Sequence, residues 1–101
     1  MPDPKVAIAL DTDRSRAARS VATAIGMPYM EGKDVLIKPN LNTSDPPPGS
    51  THLDTLSAVV RMVKMERPSS LTVADRSGPM STREVFLSKG IFDLGREEGF
   101  S

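Results

Sequence analysis

Lys38, Asn40 and Asn42 stand at alternate positions after the apolar run Val35-Leu36-Ile37, and Asp75, Ser77 and Gly78 follow a second such run, Leu71-Thr72-Val73-Ala74. Between them lie Thr51 and His52, just before a stretch of helical periodicity. A cation, two carboxamides, hydroxyls, an imidazole and backbone amides could together hold a carboxylate or a phosphate. Lys38 is the most informative member. A lysine that directly ends a buried strand has a short path to solvent and needs a partner or a ligand. His52 could act as a general base or a ligand, although a lone histidine in the first turn of a helix is more often a polar terminal residue. Turn formation and capping alone also select Asp, Asn, Ser and Gly at strand ends.

A second constellation is Asp11-x-Asp13, after the run Val6-Ala7-Ile8-Ala9-Leu10. It resembles the nucleophile motif of haloacid-dehalogenase-like phosphatases. In such an enzyme Asp11 attacks phosphorus, Asp13 handles the proton, Ser77 or Lys38 contacts the phosphate and a later carboxylate pair holds Mg²⁺. The later strand that carries this pair is missing here, and a helix-capping role for Asp13 explains the spacing more simply. Neither G-x-G-x-x-G nor G-x-x-x-x-G-K-[ST] occurs, and no glycine follows the first apolar run, which argues against a dinucleotide site or a P-loop.

Three strands are expected to position these groups. The uninterrupted run over residues 6–10 reads as a strand buried on both faces of a parallel sheet. Ala18, Val21, Ala22 and Ile25 then mark one face of a helix, with Asp13 as its N-cap and Gly26 as its stop. The second strand, over residues 35–37, ends at Lys38-Pro39-Asn40. Residues 40–50, with three consecutive prolines, read as an extended, stiff loop. Leu53, Leu56, Val59, Val60 and Val63 mark a second helix, opened by Thr51 with Asp54 three positions on and ended by Pro68. After the third strand, Ser81-Thr82-Arg83-Glu84 forms a capping box for a third helix that closes at Gly90. Ile91, Phe92 and Leu94 mark a last short helical segment. The order β-α-β-α-β-α predicts an α/β fold of two or three layers on a short parallel sheet, with ligands expected beyond the carboxyl ends of its strands.

Composition narrows the partners. The chain has 101 residues, enough for a single α/β domain, and 38% hydrophobic with 26% charged residues is a globular balance. Thirteen basic and thirteen acidic residues cancel and are interspersed, so nothing drives non-specific nucleic-acid binding. The chain has no cysteine, which excludes iron–sulfur ligation by this polypeptide and suits a reducing compartment. A single histidine argues against a histidine-rich metal site. The six methionines are scattered and read as core filler or interface residues. No membrane span and no signal peptide is read, and the expected location is cytoplasmic.

The run Val35-Leu36-Ile37-Lys38-Pro39-Asn40-Leu41-Asn42, then Gly49-Ser50-Thr51-His52, then Leu71-Thr72-Val73-Ala74-Asp75-Arg76-Ser77-Gly78, resembles the domain-of-unknown-function 362 family of bacteria and archaea. The resemblance spans about residues 6–99, and its most specific part is the strand ending in Lys-Pro-Asn followed by Thr-His. Members often carry, or work beside, ferredoxin-like four-iron clusters, so the resemblance implies a role near redox or anaerobic metabolism without naming a reaction. The chain departs from the family pattern in lacking every cluster cysteine and in being shorter than the usual domain, as expected of an N-terminal fragment of a larger one.

The first expectation for function is therefore a domain binding a small anionic ligand through Lys38, Asn40, Asn42, Thr51, His52, Asp75, Ser77 and Gly78, with its cofactor and catalytic residues unassigned. The alternatives are a non-catalytic interaction module or accessory to an iron–sulfur protein, and the phosphatase using Asp11 and Asp13. A three-stranded sheet has two open edges. This favours a homo-oligomer, or pairing with missing sequence, through an edge strand or an apolar face near Phe86, Ile91 and Phe92.

Overall fold

The structure is a computed structural model and describes residues 4–101. The elements run α1 (Arg14–Ile25), β1 (Asp34–Ile37), α2 (Leu53–Met65), β2 (Ser70–Val73), α3 (Thr82–Ser88) and α4 (Ile91–Glu98), a small α/β fold. β1 and β2 are parallel neighbours, with Asp34 opposite Ser70 and Ile37 opposite Val73. The crossover between them is α2, which packs against α1 on one side and α4 on the other.

Local chemistry accounts for most helix ends. Asp13 caps α1 by accepting the Arg16 N–H at 2.9 Å, and Gly26 ends it with φ 88°. Ser81 accepts the Glu84 N–H at 3.3 Å, one half of the capping box, without a return bond from the Glu84 side chain. Gly90, at φ 73°, turns the chain from α3 into α4 in a left-handed conformation that a side chain would strain. The cap of α2 departs from expectation. His52 accepts the Asp54 N–H on Nδ1 at 3.0 Å, while the Thr51 hydroxyl is drawn away to accept the amide of Asn40.

The largest correction concerns residues 6–10. They form no strand, and Val6, Ile8 and Leu10 are almost fully exposed instead of buried on both sides. The sheet is two-stranded and only one of its faces is covered. Val35, Ile37, Leu71 and Val73 point into the core, whereas Leu36 stands on an open face. With no second layer there is nothing to bury the large side chains of an additional strand. The half-buried residues of that run are the small ones, Ala7 and Ala9.

The core joins Leu56, Val60 and Val63 of α2 to Leu71 and Val73 of β2, and to Val85, Phe86 and Ile91 of the last two helices. Phe86 and Ile91 are thus interior residues, and they do not form the outer apolar face expected of them. α2 and α4 are also clamped by charge: the Glu98 carboxylate accepts from the Ser57 hydroxyl at 2.9 Å and from the Arg61 guanidinium. Beyond α4, Ser101 donates its N–H to the carbonyl of Leu71 and accepts from the N–H of Val73, the pattern of a parallel bridge on the outer edge of β2. That edge is therefore partly occupied.

The loop over residues 40–50 is irregular, as expected, yet it carries a core residue: Leu41 is fully buried. Leu41→Ala should lower the unfolding free energy by about 3 kcal/mol, the cost of a buried leucine with its cavity. Urea denaturation checks this, and a loss below about 1 kcal/mol would show that the loop is no part of the core.

Candidate functional site

β1 and β2 end side by side, and the polar residues that follow them meet there. The Lys38 ammonium lies 2.9 Å from Oδ1 of Asp75, whose side chain is only 5% exposed while that of Lys38 is 70% exposed. The other Asp75 oxygen accepts the Leu41 N–H at 2.7 Å. Burial alone would raise the Asp75 pKa. The hydrogen bond from Lys38 and those from the Leu41 and Arg76 amides outweigh it and hold the carboxyl below its usual range. Lys38 therefore has the partner that its position demanded, and its ammonium still reaches water.

Two further bonds tie the loop to the start of α2. Asn40 donates its N–H to the Thr51 hydroxyl at 2.8 Å, and Thr51 donates its own to the Asn40 carbonyl at 2.9 Å. The Asn40 side-chain oxygen accepts weakly from the Asn42 N–H at 3.4 Å. With Nδ1 of His52 serving as acceptor, the neutral ring carries its proton on Nε2, which is left as a donor. The strand-end network thus has two hydrogen-bonded parts, Lys38 with Asp75 and Leu41, and Asn40 with Thr51 and Asn42, whereas His52 bonds to Asp54 within its own helix turn.

Ser77 and Gly78 belong to the same loop system in a different role. The Ser77 hydroxyl, buried, donates to the Leu41 carbonyl at 2.6 Å, and its amide donates to the Thr82 hydroxyl. Gly78 donates its N–H to the Asn42 carbonyl, and a Cβ there would come within 2.7 Å of the Asn42 side-chain oxygen. Both residues are engaged in holding residues 41 and 42 against the turn after β2. Leu41, which sequence reasoning passed over, anchors this arrangement through its amide, its carbonyl and its buried side chain. The only signal for it was an apolar residue between two asparagines.

Asp11 and Asp13 are occupied elsewhere. Asp11 accepts the Asp13 N–H at 2.9 Å and accepts from Nε and Nη2 of Arg16 at 2.5 and 2.7 Å. The Arg16 hydrogen bond and the Asp13 amide lower its pKa to about 2. Together the two carboxylates build the entry to α1, which is the simpler of the two readings of their spacing.

The strand-end network has a measurable pH signature. Because the folded Asp75 carboxyl titrates below its unfolded value near 4, its stabilisation is complete above about pH 5 and is lost as the pH falls through the folded value. Asp75→Asn should therefore cost on the order of 1–3 kcal/mol at pH 7, and the gap from the wild type should narrow near pH 3. Urea titrations at both pH values check this, and an equal gap at the two would remove the carboxylate from the explanation.

Comparison with known proteins bears on this same region. The family described as "Domain of unknown function (DUF362)" matches residues 35–101, which include β1, the loop, the start of α2 and the whole turn after β2, whereas residues 6–34 lie outside the match. No curated protein and no solved structure matches the chain. With well over half of its length matched, including every residue of the strand-end network, the chain belongs to the DUF362 family.

Proposed function

We propose that the chain binds a small anionic ligand, a carboxylate or a phosphate, beyond the carboxyl ends of β1 and β2. The observation that carries this reading is the state of Lys38: its ammonium is oriented by a nearly buried Asp75 while remaining 70% exposed. One of the three ammonium protons is directed at Asp75, and the others are free to meet a ligand. The cost of restraining a long, flexible side chain is met in part before any ligand arrives.

Besides Lys38, the groups at these strand ends and the start of α2 that suit an anion are the Asn40 and Asn42 carboxamides, the hydroxyl proton of Thr51 and the Nε2–H of His52. Asp75 acts as the positioning residue for Lys38. It also supplies a negative charge that a dianion must tolerate, which favours ligands whose charge is spread over several oxygens. Ser77 and Gly78 enter indirectly, by holding the Asn42 segment in place. The absence of cysteine supports a reducing, cytoplasmic setting. Among the described residues, no helix is long and apolar enough to cross a membrane.

Thermal unfolding with inorganic phosphate or citrate, against sodium chloride at equal ionic strength, tests the proposal. A ligand at ten times its Kd adds about 1.4 kcal/mol. For a domain of this size that is a rise in Tm of about 6–10 °C. The rise is expected in the wild type and absent in Lys38→Ala. Equal shifts in both, or none beyond the chloride control, would defeat the reading.

A further inference from the structure

His52 starts α2 with a nitrogen where most helix caps present an oxygen. Nδ1 of its ring accepts the Asp54 N–H at 3.0 Å, while its carbonyl accepts the Leu56 N–H at 3.1 Å. A hydroxyl or carboxamide oxygen in this place accepts at every pH. An imidazole nitrogen accepts only while the ring is neutral, because protonation turns Nδ1 into a donor. The ring is a third exposed, so protons reach it from solvent.

The second group within reach of Nδ1 is a carboxylate. Oδ2 of Asp54 lies 3.8 Å away, on the same residue whose amide the neutral ring accepts. Among the described residues, no other acidic side chain comes within 4.0 Å of a ring nitrogen. The charged groups of neighbouring segments have other partners. Lys38 and Asp75 hold each other at the strand ends, Asp45 accepts from the Thr43 hydroxyl, and Lys89 donates to the Asp45 carbonyl. On the side of α1, Arg14 lines a hollow with Thr55 and adds a positive charge beside the first turn of α2.

We infer that α2 carries a proton-operated cap. In the neutral state Nδ1 closes the first turn. When the ring takes up a proton, the Nδ1–H turns to the Asp54 carboxylate and the Asp54 amide loses its acceptor. The exchange is unequal. The carboxylate is 68% exposed, so the new ion pair is weak, and the positive end of the helix dipole disfavours an imidazolium here. Acid therefore loosens the first turn. The effect reaches the strand ends, since Thr51, the residue before His52, shares two hydrogen bonds with Asn40.

The inference does not rest on ligand binding, and NMR of the full chain in buffer free of phosphate and carboxylates tests it. His52 is the sole histidine, so its ring signals are read without overlap. At pH 8 the ring should carry its proton on Nε2 and none on Nδ1. Between pH 8 and pH 5, exchange of the Asp54 amide with water, divided by its intrinsic rate at each pH, should rise about fivefold in the wild type, as for the loss of one cap. In His52→Asn, whose side-chain oxygen accepts at both pH values, it should stay constant. A proton on Nδ1 at pH 8, an Asp54 amide equally protected at both pH values in the wild type, or the same rise in His52→Asn would each overturn the inference.

Discussion

A carboxylate removed from water must find its partners within the fold, and Asp75 finds them at the junction of three segments. Its two oxygens meet the Lys38 ammonium at the end of β1 and the Leu41 amide at the start of the long loop. An unpaired charge at that depth would cost several kcal/mol. The loop is therefore held where it satisfies Asp75, and Leu41 is carried into the core. The return bond from Ser77 to the Leu41 carbonyl fixes the same residue from the other side. Without this knot, eleven residues rich in proline and polar groups would have little reason to lie down on the sheet.

The same knot decides what the strand ends can do chemically. Polar groups at the end of a parallel sheet have two possible employments: satisfying the backbone of the connecting loops, or facing outward to a ligand. Here the division is visible residue by residue. Ser77 and Gly78 serve the loop, Asp75 serves both the loop and Lys38, and Lys38 stays 70% exposed. A lysine held by a nearly buried acid differs from a solvated surface lysine in that its position is set in advance.

The thinness of the sheet shapes the rest of the molecule. With two strands and helices on one side, the core is a single layer between β1, β2 and the helices, with Met30 buried in it and Phe100 packed against it. Stability at the helix layer is reinforced by the Glu98 cluster with Ser57 and Arg61. The uncovered face has no such compensation, and its apolar residues are exposed because no layer lies over them.

Much of this was legible in the sequence because it is local. The caps at Asp13 and Ser81 and the stops at Gly26 and Gly90 depend on residues within one turn of each other. The helical faces of α2 and the alternation of Leu71 and Val73 follow from periodicity, and the Lys-Pro-Asn and Thr-His segments were enough to point to the family. Residues 6–10 misled for the complementary reason. An apolar run states that burial is available, but whether a second layer exists to bury it is a property of the assembled chain. Likewise, position after the apolar runs marked Lys38, Asn40, Asn42, Thr51, His52, Asp75, Ser77 and Gly78 as one group without sorting their roles. Only the tertiary structure decided that Asp75 would take Lys38 and that His52 would displace Thr51 as the cap. It also buried Leu41, lying between two asparagines, because each of these outcomes turns on hydrogen-bond partners drawn from distant parts of the chain.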